Sequence, residues 1–177
     1  MAAPIFVISG PPGAGKSSVA RALAMRYPFG MHIPIDDLRE WVVAGVAHPV
    51  PAWTDETSRQ FHLARTGAAR LARLYAQAGF AVVLDDVMFP EAYDQSMAPE
   101  LRGLRVVRIV LLPAEAIAQQ RNRERTGKSF TPSFLVETIR DVHASMQQAD
   151  FAAAGWHVLD NSSQSLEETV QALYTLW

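Results

Sequence analysis

The feature that most constrains this chain is the segment GPPGAGKS at residues 10–17, which follows a short apolar run and precedes a helix-like segment. Its three glycines let the backbone curl so that successive N–H groups point inward. Lys16 adds a compact positive charge, and the start of the following helix adds a partial one. This strand, turn and helix context fits the G-x-x-x-x-G-K-[ST] pattern of a phosphate-binding loop. We call residues 10–17 the phosphate loop.

The phosphate loop and one later arginine supply the predicted nucleotide contacts. Lys16 can reach the β- and γ-phosphates and is also expected to contribute to catalysis, while the Ser17 hydroxyl is a predicted Mg²⁺ ligand. The predicted nucleotide-binding residues are Gly10, Pro11, Pro12, Gly13, Ala14, Gly15, Lys16, Ser17, Ser18 and Arg121.

Short apolar runs alternate with helical periods along the rest of the chain. The runs lie near residues 4–9, 31–36, 79–86, 104–112 and 155–160, and each predicts a buried strand. Helix starts are indicated by Thr131 with Pro132 and by Ser165 with Glu168. The alternation predicts an α/β fold, a mostly parallel sheet with helices on both faces, whose ligands bind at the carboxyl ends of the strands.

Composition limits the classes of protein to which the chain can belong. With 177 residues and 49% hydrophobic composition, it predicts a single domain over residues 1–177. The net charge of −2 predicts no general attraction to nucleic acid or membranes. The absence of cysteine, of a signal peptide and of a long apolar stretch predicts a soluble cytoplasmic protein.

Two strand ends carry acidic residues suited to phosphate chemistry. Asp85 and Asp86 end the third strand, and Asp85 is favoured as the metal ligand because it follows the apolar run directly, with Asp86 as the alternative. Asp36, at the end of the second strand, is the predicted base that orients an attacking hydroxyl. The alternative for Asp36 is a helix N-cap. Asp37, Arg39 and Asp86 are predicted acceptor-binding residues, with a surface ion pair as the alternative for Arg39.

Three further segments allow more than one interpretation. Arg121 and Arg125 share one helix face and predict a lid over about residues 121–132, with Arg125 in a catalytic role; a solvated basic helix end is the alternative. Residues 41–53 are expected either to line an acceptor pocket or to form a packing cluster. The basic side chains of the long helix that follows are expected to be mostly solvated. They are Arg59, His62, Arg65, Arg70 and Arg73.

The phosphate loop, Asp36, the paired acids and the R-x-x-x-R-x-G pattern from Arg121 occur in an order that resembles the small P-loop kinases. PIDDL at residues 34–38 and VVLDDVMF at residues 82–89 are similar to the chloramphenicol phosphotransferase-like and zeta-toxin-like group, within the AAA-type ATP-binding kinases. The resemblance implies a five-stranded parallel sheet of order 2-3-1-4-5 with a small helical lid. It also implies ATP with Mg²⁺ as donor and a hydroxylated small molecule as acceptor.

Carried over by position, the resemblance makes Asp36 the base and gives Arg121, or the loop at residues 160–163, a place beside adenine. DDLR at residues 36–39 also resembles polynucleotide 5′-kinases, and RTGKSF at residues 125–130 is similar to gluconate-kinase lids. The sequence therefore predicts an ATP-dependent phosphotransferase acting on a small molecule such as an antibiotic or metabolite. A polynucleotide 5′-hydroxyl kinase and a nucleotide-dependent regulatory module with slow hydrolysis are the alternatives.

Overall fold

The computed structural model describes residues 3–50, 52–124 and 136–177. Five strands form one sheet of order β2-β3-β1-β4-β5, and all four neighbouring pairs are parallel. The predicted fold class and strand order are confirmed. The strands are β1 (Ile5–Ser9), β2 (Gly30–Pro34), β3 (Ala81–Asp85), β4 (Val106–Leu111) and β5 (His157–Leu159).

Helices connect the strands, as the alternating sequence pattern predicts. A parallel pair needs a crossover connection, and a helix is its usual form. The helices of the described residues are α1 (Lys16–Ala24), α2 (Ile35–Glu40), α3 (Asp55–Gln77), α4 (Pro90–Ser96), α5 (Ala98–Leu101), α6 (Glu115–Arg123), α7 (Val136–Gln148) and α8 (Leu166–Tyr174).

The sheet is covered on both faces, and side-chain alternation along the strands divides the core in two. From β1, Ile5 and Val7 pack in the cluster that contains the buried alanines of α3, whereas Phe6 and Ile8 pack with α1 and α8. Every residue of β1 and β3 is buried, as expected for central strands. A side chain near the end of a strand is therefore directed toward either α1 or α3 according to its place in the alternation.

Two helix starts are capped by their own side chains. At α8, the Ser165 Oγ accepts from the Glu168 N–H at 3.2 Å, and the Glu168 Oε2 accepts from the Ser165 N–H at 2.8 Å. This capping box matches the sequence prediction, and Thr54 forms a similar one with Thr57 at α3. The predicted start at Thr131 and Pro132 lies outside the described residues. In the parts of the chain that the structure describes, every helix is too short or too polar to cross a lipid bilayer.

Candidate functional site

The phosphate loop runs from the end of β1 to the start of α1 and packs tightly at two glycines. Gly10 and Gly13 have φ values of +147° and +83°. A Cβ atom on Gly13 would lie 2.1 Å from the Ala118 carbonyl oxygen, and one on Gly10 would lie 2.3 Å from that of Leu111. Only glycine fits these positions, because a side chain would collide with the backbone of α6 or of β4.

The loop also positions its cation and the first turn of α1. Gly15 is the N-cap of α1 in a left-handed conformation, so the helix begins at Lys16. The Lys16 Nζ donates to the carbonyl oxygens of Gly10 at 2.9 Å and Pro11 at 3.1 Å. The helix N-terminus and the Lys16 ammonium thus place positive charge at the same loop, which favours binding of an anion.

A cleft of about 430 Å³ opens beside the phosphate loop, and we call it the loop cleft. Arg121 lines it from α6, and Asn161 lines it from the loop after β5. The Arg121 Nη2 donates to the Asn161 carbonyl oxygen at 2.9 Å, and the Asn161 Nδ2 donates to the Ala14 carbonyl oxygen at 3.1 Å. The structure therefore brings Arg121 and the segment at residues 160–163 together, where the sequence offered them as alternatives.

Asp85 lies on the α1 side of the sheet, next to the phosphate loop. Its Oδ2 is 3.0 Å from the Nε2 of His32, and the Ser17 hydroxyl lies close enough to stabilise the charged carboxylate. Burial raises the pKa of Asp85, but the hydrogen bond from His32 and the nearby charge of Lys16 outweigh this effect, and the pKa lies below its usual value. An ionised carboxylate beside the Ser17 hydroxyl is a suitable pair of hard oxygen donors for Mg²⁺.

Asp86, one residue later, lies on the α3 side and is paired with Arg65. The Arg65 Nε donates to the Asp86 Oδ2 at 2.6 Å, and the Val87 N–H donates to the Asp86 Oδ1 at 2.8 Å. Burial raises the pKa of Asp86 to about 6, although the charge of Arg65 opposes the shift. Arg65 is the buried exception among the mostly solvated basic residues of α3, at 8% exposed.

Asp36 is the second residue of α2 and is exposed at the carboxyl end of the sheet. Pro34 is the N-cap of α2 and has no side-chain capping bond, so the capping interpretation of Asp36 is wrong. The Asp36 charge interacts with those of Arg39 and Asp86, which places the three groups near one another. Asp37 lies beside Asp36 in the first turn and is also exposed.

Arg39 is buried rather than exposed, so its interpretation as a surface ion-pair residue is wrong. Its guanidinium carbon lies 3.7 Å from the centre of the Phe61 ring, and its Nη2 donates to the Ala47 carbonyl oxygen at 2.7 Å. Burial lowers the pKa of Arg39, and the nearby Asp36 charge opposes this shift. The guanidinium is thus held between the Phe61 ring and the backbone of the segment after α2.

The segment between α2 and α3 forms the packing cluster that is one of the two roles its sequence allows. The Trp53 ring stacks on Phe61 at a centroid distance of 5.0 Å, which is the arrangement of a packing cluster. Gln60 fixes the segment through its side chain, donating to the Gly45 carbonyl oxygen at 2.8 Å. Trp41 is 73% exposed and does not belong to that cluster. An acceptor-facing role for this segment remains a prediction.

Several site residues carry no sequence signal of their own. His32, Arg65 and Phe61 acquire their roles through partners distant in the sequence, and strand register and helix placement decide those partners. Arg125 and most of the predicted lid at residues 121–132 lie outside the described residues, so the lid stays a prediction.

Comparisons with known proteins agree with this fold. A family model described as an AAA domain matches residues 5–149. No curated protein matches the chain significantly.

Solved structures with the same fold include several named kinases. A gluconokinase from Sinorhizobium meliloti 1021 superimposes with a TM-score of 0.66 at 23% identity, covering 97% of this chain and 90% of that one. A Deinococcus radiodurans tunicamycin resistance protein gives 0.68 at 16% identity, with coverages of 98% and 95%. A shikimate kinase from Acinetobacter baumannii gives 0.64 at 15% identity, with coverages of 99% and 93%. The narrower resemblance to chloramphenicol phosphotransferases remains a prediction.

We predict that Gly13→Ala weakens ATP binding at least about tenfold, which corresponds to roughly 1.4 kcal/mol. The new methyl group would meet the Ala118 carbonyl oxygen and displace the phosphate loop. Gly103→Ala is the matched control, because Gly103 has the same φ of +83° but open space around its Cβ position. Isothermal titration calorimetry measures the ATP affinity of both variants. Equal ATP affinities of Gly13→Ala and Gly103→Ala would contradict a steric requirement at Gly13.

We also predict that Arg65→Met destabilises the protein by about 3–5 kcal/mol at neutral pH, because it leaves a buried carboxylate without its cation. Adding Asp86→Asn should restore much of the loss. The pKa of Asp86 is raised in the folded protein. The stabilising contribution of the protonated Asp86 carboxyl is therefore fully present below pH 3.8 and is lost as the pH rises through about 6. The defect of Arg65→Met should therefore shrink as the pH falls.

Denaturant unfolding of wild type, single variant and double variant at neutral pH and at about pH 5 provides the measurement. A double variant as unstable as Arg65→Met would show that lost packing, rather than the uncompensated charge, causes the defect.

Proposed function

This chain belongs to the AAA-domain family, and from that premise we propose that it is an ATP-dependent kinase that transfers the γ-phosphoryl group to a hydroxyl group of a small molecule. An antibiotic or a metabolite is the proposed class of acceptor. The structures named gluconokinase and shikimate kinase share the fold, which supports a small-molecule acceptor. The proposal is carried by one observation, the position of Asp36.

Asp36 provides a second, separate carboxylate at the end of the sheet that holds the phosphate loop. Asp85 contacts Ser17 on the α1 side, whereas Asp36 is exposed at the start of α2 and interacts electrostatically with Asp86 on the α3 side. A protein that only binds nucleotide needs no group to orient a nucleophile, whereas phosphoryl transfer needs one to orient the acceptor hydroxyl. An exposed carboxylate apart from the metal-binding one is the group that transfer to an alcohol requires.

The proposed mechanism assigns a role to each described group. The loop N–H groups and Lys16 bind the β- and γ-phosphates. Ser17 and Asp85 would hold Mg²⁺, which commonly takes one or two protein carboxylates and retains several waters. When bound, the ion neutralises charge on the phosphates. Arg121 borders the nucleotide from α6, and Arg125 is proposed to stabilise the transferring group.

Asp36 acts on the acceptor side of the reaction. Its carboxylate aligns the acceptor hydroxyl and receives the hydroxyl proton as the oxygen attacks the γ-phosphorus. The bond from the γ-phosphorus to the oxygen bridging it to the β-phosphorus breaks, and ADP leaves with that bonding electron pair. Positioning and electrostatic stabilisation supply most of the rate in such a reaction.

The charges around Asp36 favour a small acceptor over an oligonucleotide. Arg65 is paired with Asp86, and Arg39 is held by Phe61 and the Ala47 carbonyl oxygen. The two carboxylates and two guanidiniums of this group have a formal sum of zero, and the whole chain carries −2. An oligonucleotide binds mainly through basic residues that contact its phosphates. The environment of Asp36 therefore gives little support to the polynucleotide kinase alternative.

The proposal is tested by measuring transfer of labelled γ-phosphate from ATP, in the presence of Mg²⁺, to a panel of acceptors. The panel contains hydroxylated antibiotics, hydroxylated metabolites and 5′-hydroxyl oligonucleotides. We expect label on a small molecule, above acceptor-free hydrolysis. Label on oligonucleotides alone would replace the proposal with the polynucleotide kinase. Hydrolysis alone across the panel would favour the regulatory module.

We predict that Asp36→Asn lowers transfer to a responding acceptor by roughly 10²- to 10⁴-fold, the size of a general-base contribution, and leaves ATP affinity unchanged. Glu40→Gln is the matched control, since Glu40 is an exposed acid at the other end of α2. Initial rates and ATP titrations compare the two variants. Full transfer by Asp36→Asn would remove Asp36 from the mechanism.

A further inference from the structure

The imidazole of His32 lies against the proposed metal-binding carboxylate. Its Nε2 is 3.0 Å from the Asp85 Oδ2, with the His32 side chain 19% exposed and that of Asp85 7% exposed. We infer that His32 is a positioning residue for Asp85, which fixes one carboxylate oxygen so that the group is presented to Ser17 and Mg²⁺ in a single orientation. This inference rests on the proposed function of the phosphate loop but not on the identity of the acceptor.

Strand register explains how the two residues meet. β2 and β3 are parallel, with His32 opposite Val83 and Pro34 opposite Asp85. Alternate residues of a strand point to the same face, so His32 and Asp85 share one face of the sheet. Phe6, the β1 neighbour of Val83, packs against α1 on that face. His32 is therefore on the α1 side, where Ser17 also contacts Asp85.

The direction of the hydrogen bond follows from the charge of Asp85. A carboxylate binds Mg²⁺ in its ionised form, and an ionised carboxylate can only accept a hydrogen bond. The His32 Nε2 must then carry the hydrogen and donate it. Both the neutral tautomer with Nε2–H and the imidazolium can do so. The positioning role therefore requires no change in the protonation of His32.

His32 is distinguished from the other partners of Asp85 by its position. Lys16 and Ser17 belong to the phosphate loop, where they are proposed to bind the phosphates and the metal ion. When nucleotide is bound, the Lys16 charge and the hydrogen bonds of both residues are therefore divided between Asp85 and the nucleotide with its metal ion. His32 lies on β2, and its contact with Asp85 does not compete with phosphate binding. His32 is thus the partner suited to keep the Asp85 carboxylate oriented when the phosphate loop binds nucleotide.

Three substitutions separate positioning from packing. In His32→Gln, the terminal amide nitrogen can occupy the place of Nε2 and donate to Asp85. In His32→Asn, the shorter side chain places its amide near the position of Nδ1 and does not reach. His32→Leu removes the donor while keeping apolar bulk. Circular dichroism and denaturant unfolding establish that each variant is folded.

The primary measurement is the affinity for ATP by isothermal titration, with Mg²⁺ and with EDTA, in the absence of any acceptor. We expect His32→Asn and His32→Leu to need about 10- to 100-fold more Mg²⁺ for the same gain in ATP affinity, the usual cost of losing a residue that orients a metal ligand. Their affinity in EDTA should equal that of wild type. His32→Gln should stay within about threefold of wild type, well under that range.

Two results would overturn the inference. One is an unchanged Mg²⁺ requirement in all three variants, and the other is a His32→Gln variant as defective as His32→Leu. A purely structural role would lower the affinity equally with Mg²⁺ and with EDTA, which also contradicts positioning. Because no acceptor is present, these outcomes are independent of whether the panel of acceptors yields a phosphorylated product.

Discussion

Two adjacent buried carboxylates at the end of β3 determine the arrangement of the site. Successive residues of a strand point to opposite faces, so Asp85 is directed to α1 and Asp86 to α3. Burial of a negative charge is costly unless cations or hydrogen-bond donors compensate it. Each face of the sheet therefore needs its own set of partners. On the α1 face these are His32, Lys16 and Ser17, and on the α3 face they are Arg65 and the Val87 N–H.

The same division separates the two halves of the proposed reaction. The α1 face holds the phosphate loop and the donors suited to Mg²⁺. The α3 face holds the Asp86–Arg65 pair, beside which Arg39 and Asp36 lie. Phe61 connects them, since both guanidiniums lie over its ring, at 3.7 Å for Arg39 and 5.0 Å for Arg65. The buried Asp86, Arg65 and Arg39 leave Asp36 and its neighbour Asp37 exposed on this side, and exposure suits a carboxylate that must meet a substrate.

Much of this could be predicted from sequence because the signals are local. The phosphate loop is a continuous motif, the strands are short apolar runs, and the acids follow those runs directly. The burial of Arg65 and Arg39 could not be predicted in this way, because their partners Asp86 and Phe61 are 21 and 22 positions away. His32 likewise carries no local signal, since its contact with Asp85 depends on the register between β2 and β3.

In the proposed arrangement, Asp85 binds the metal ion beside the phosphate loop while Asp86 remains bound to Arg65. A crystal structure with Mg²⁺ and a non-hydrolysable ATP analogue tests it most directly. The account predicts a metal ion on the Ser17 hydroxyl, with Asp85 binding it directly or through water, and an intact hydrogen bond between Arg65 and Asp86. A metal ion bound by Asp86, with its hydrogen bond to Arg65 broken, would contradict it.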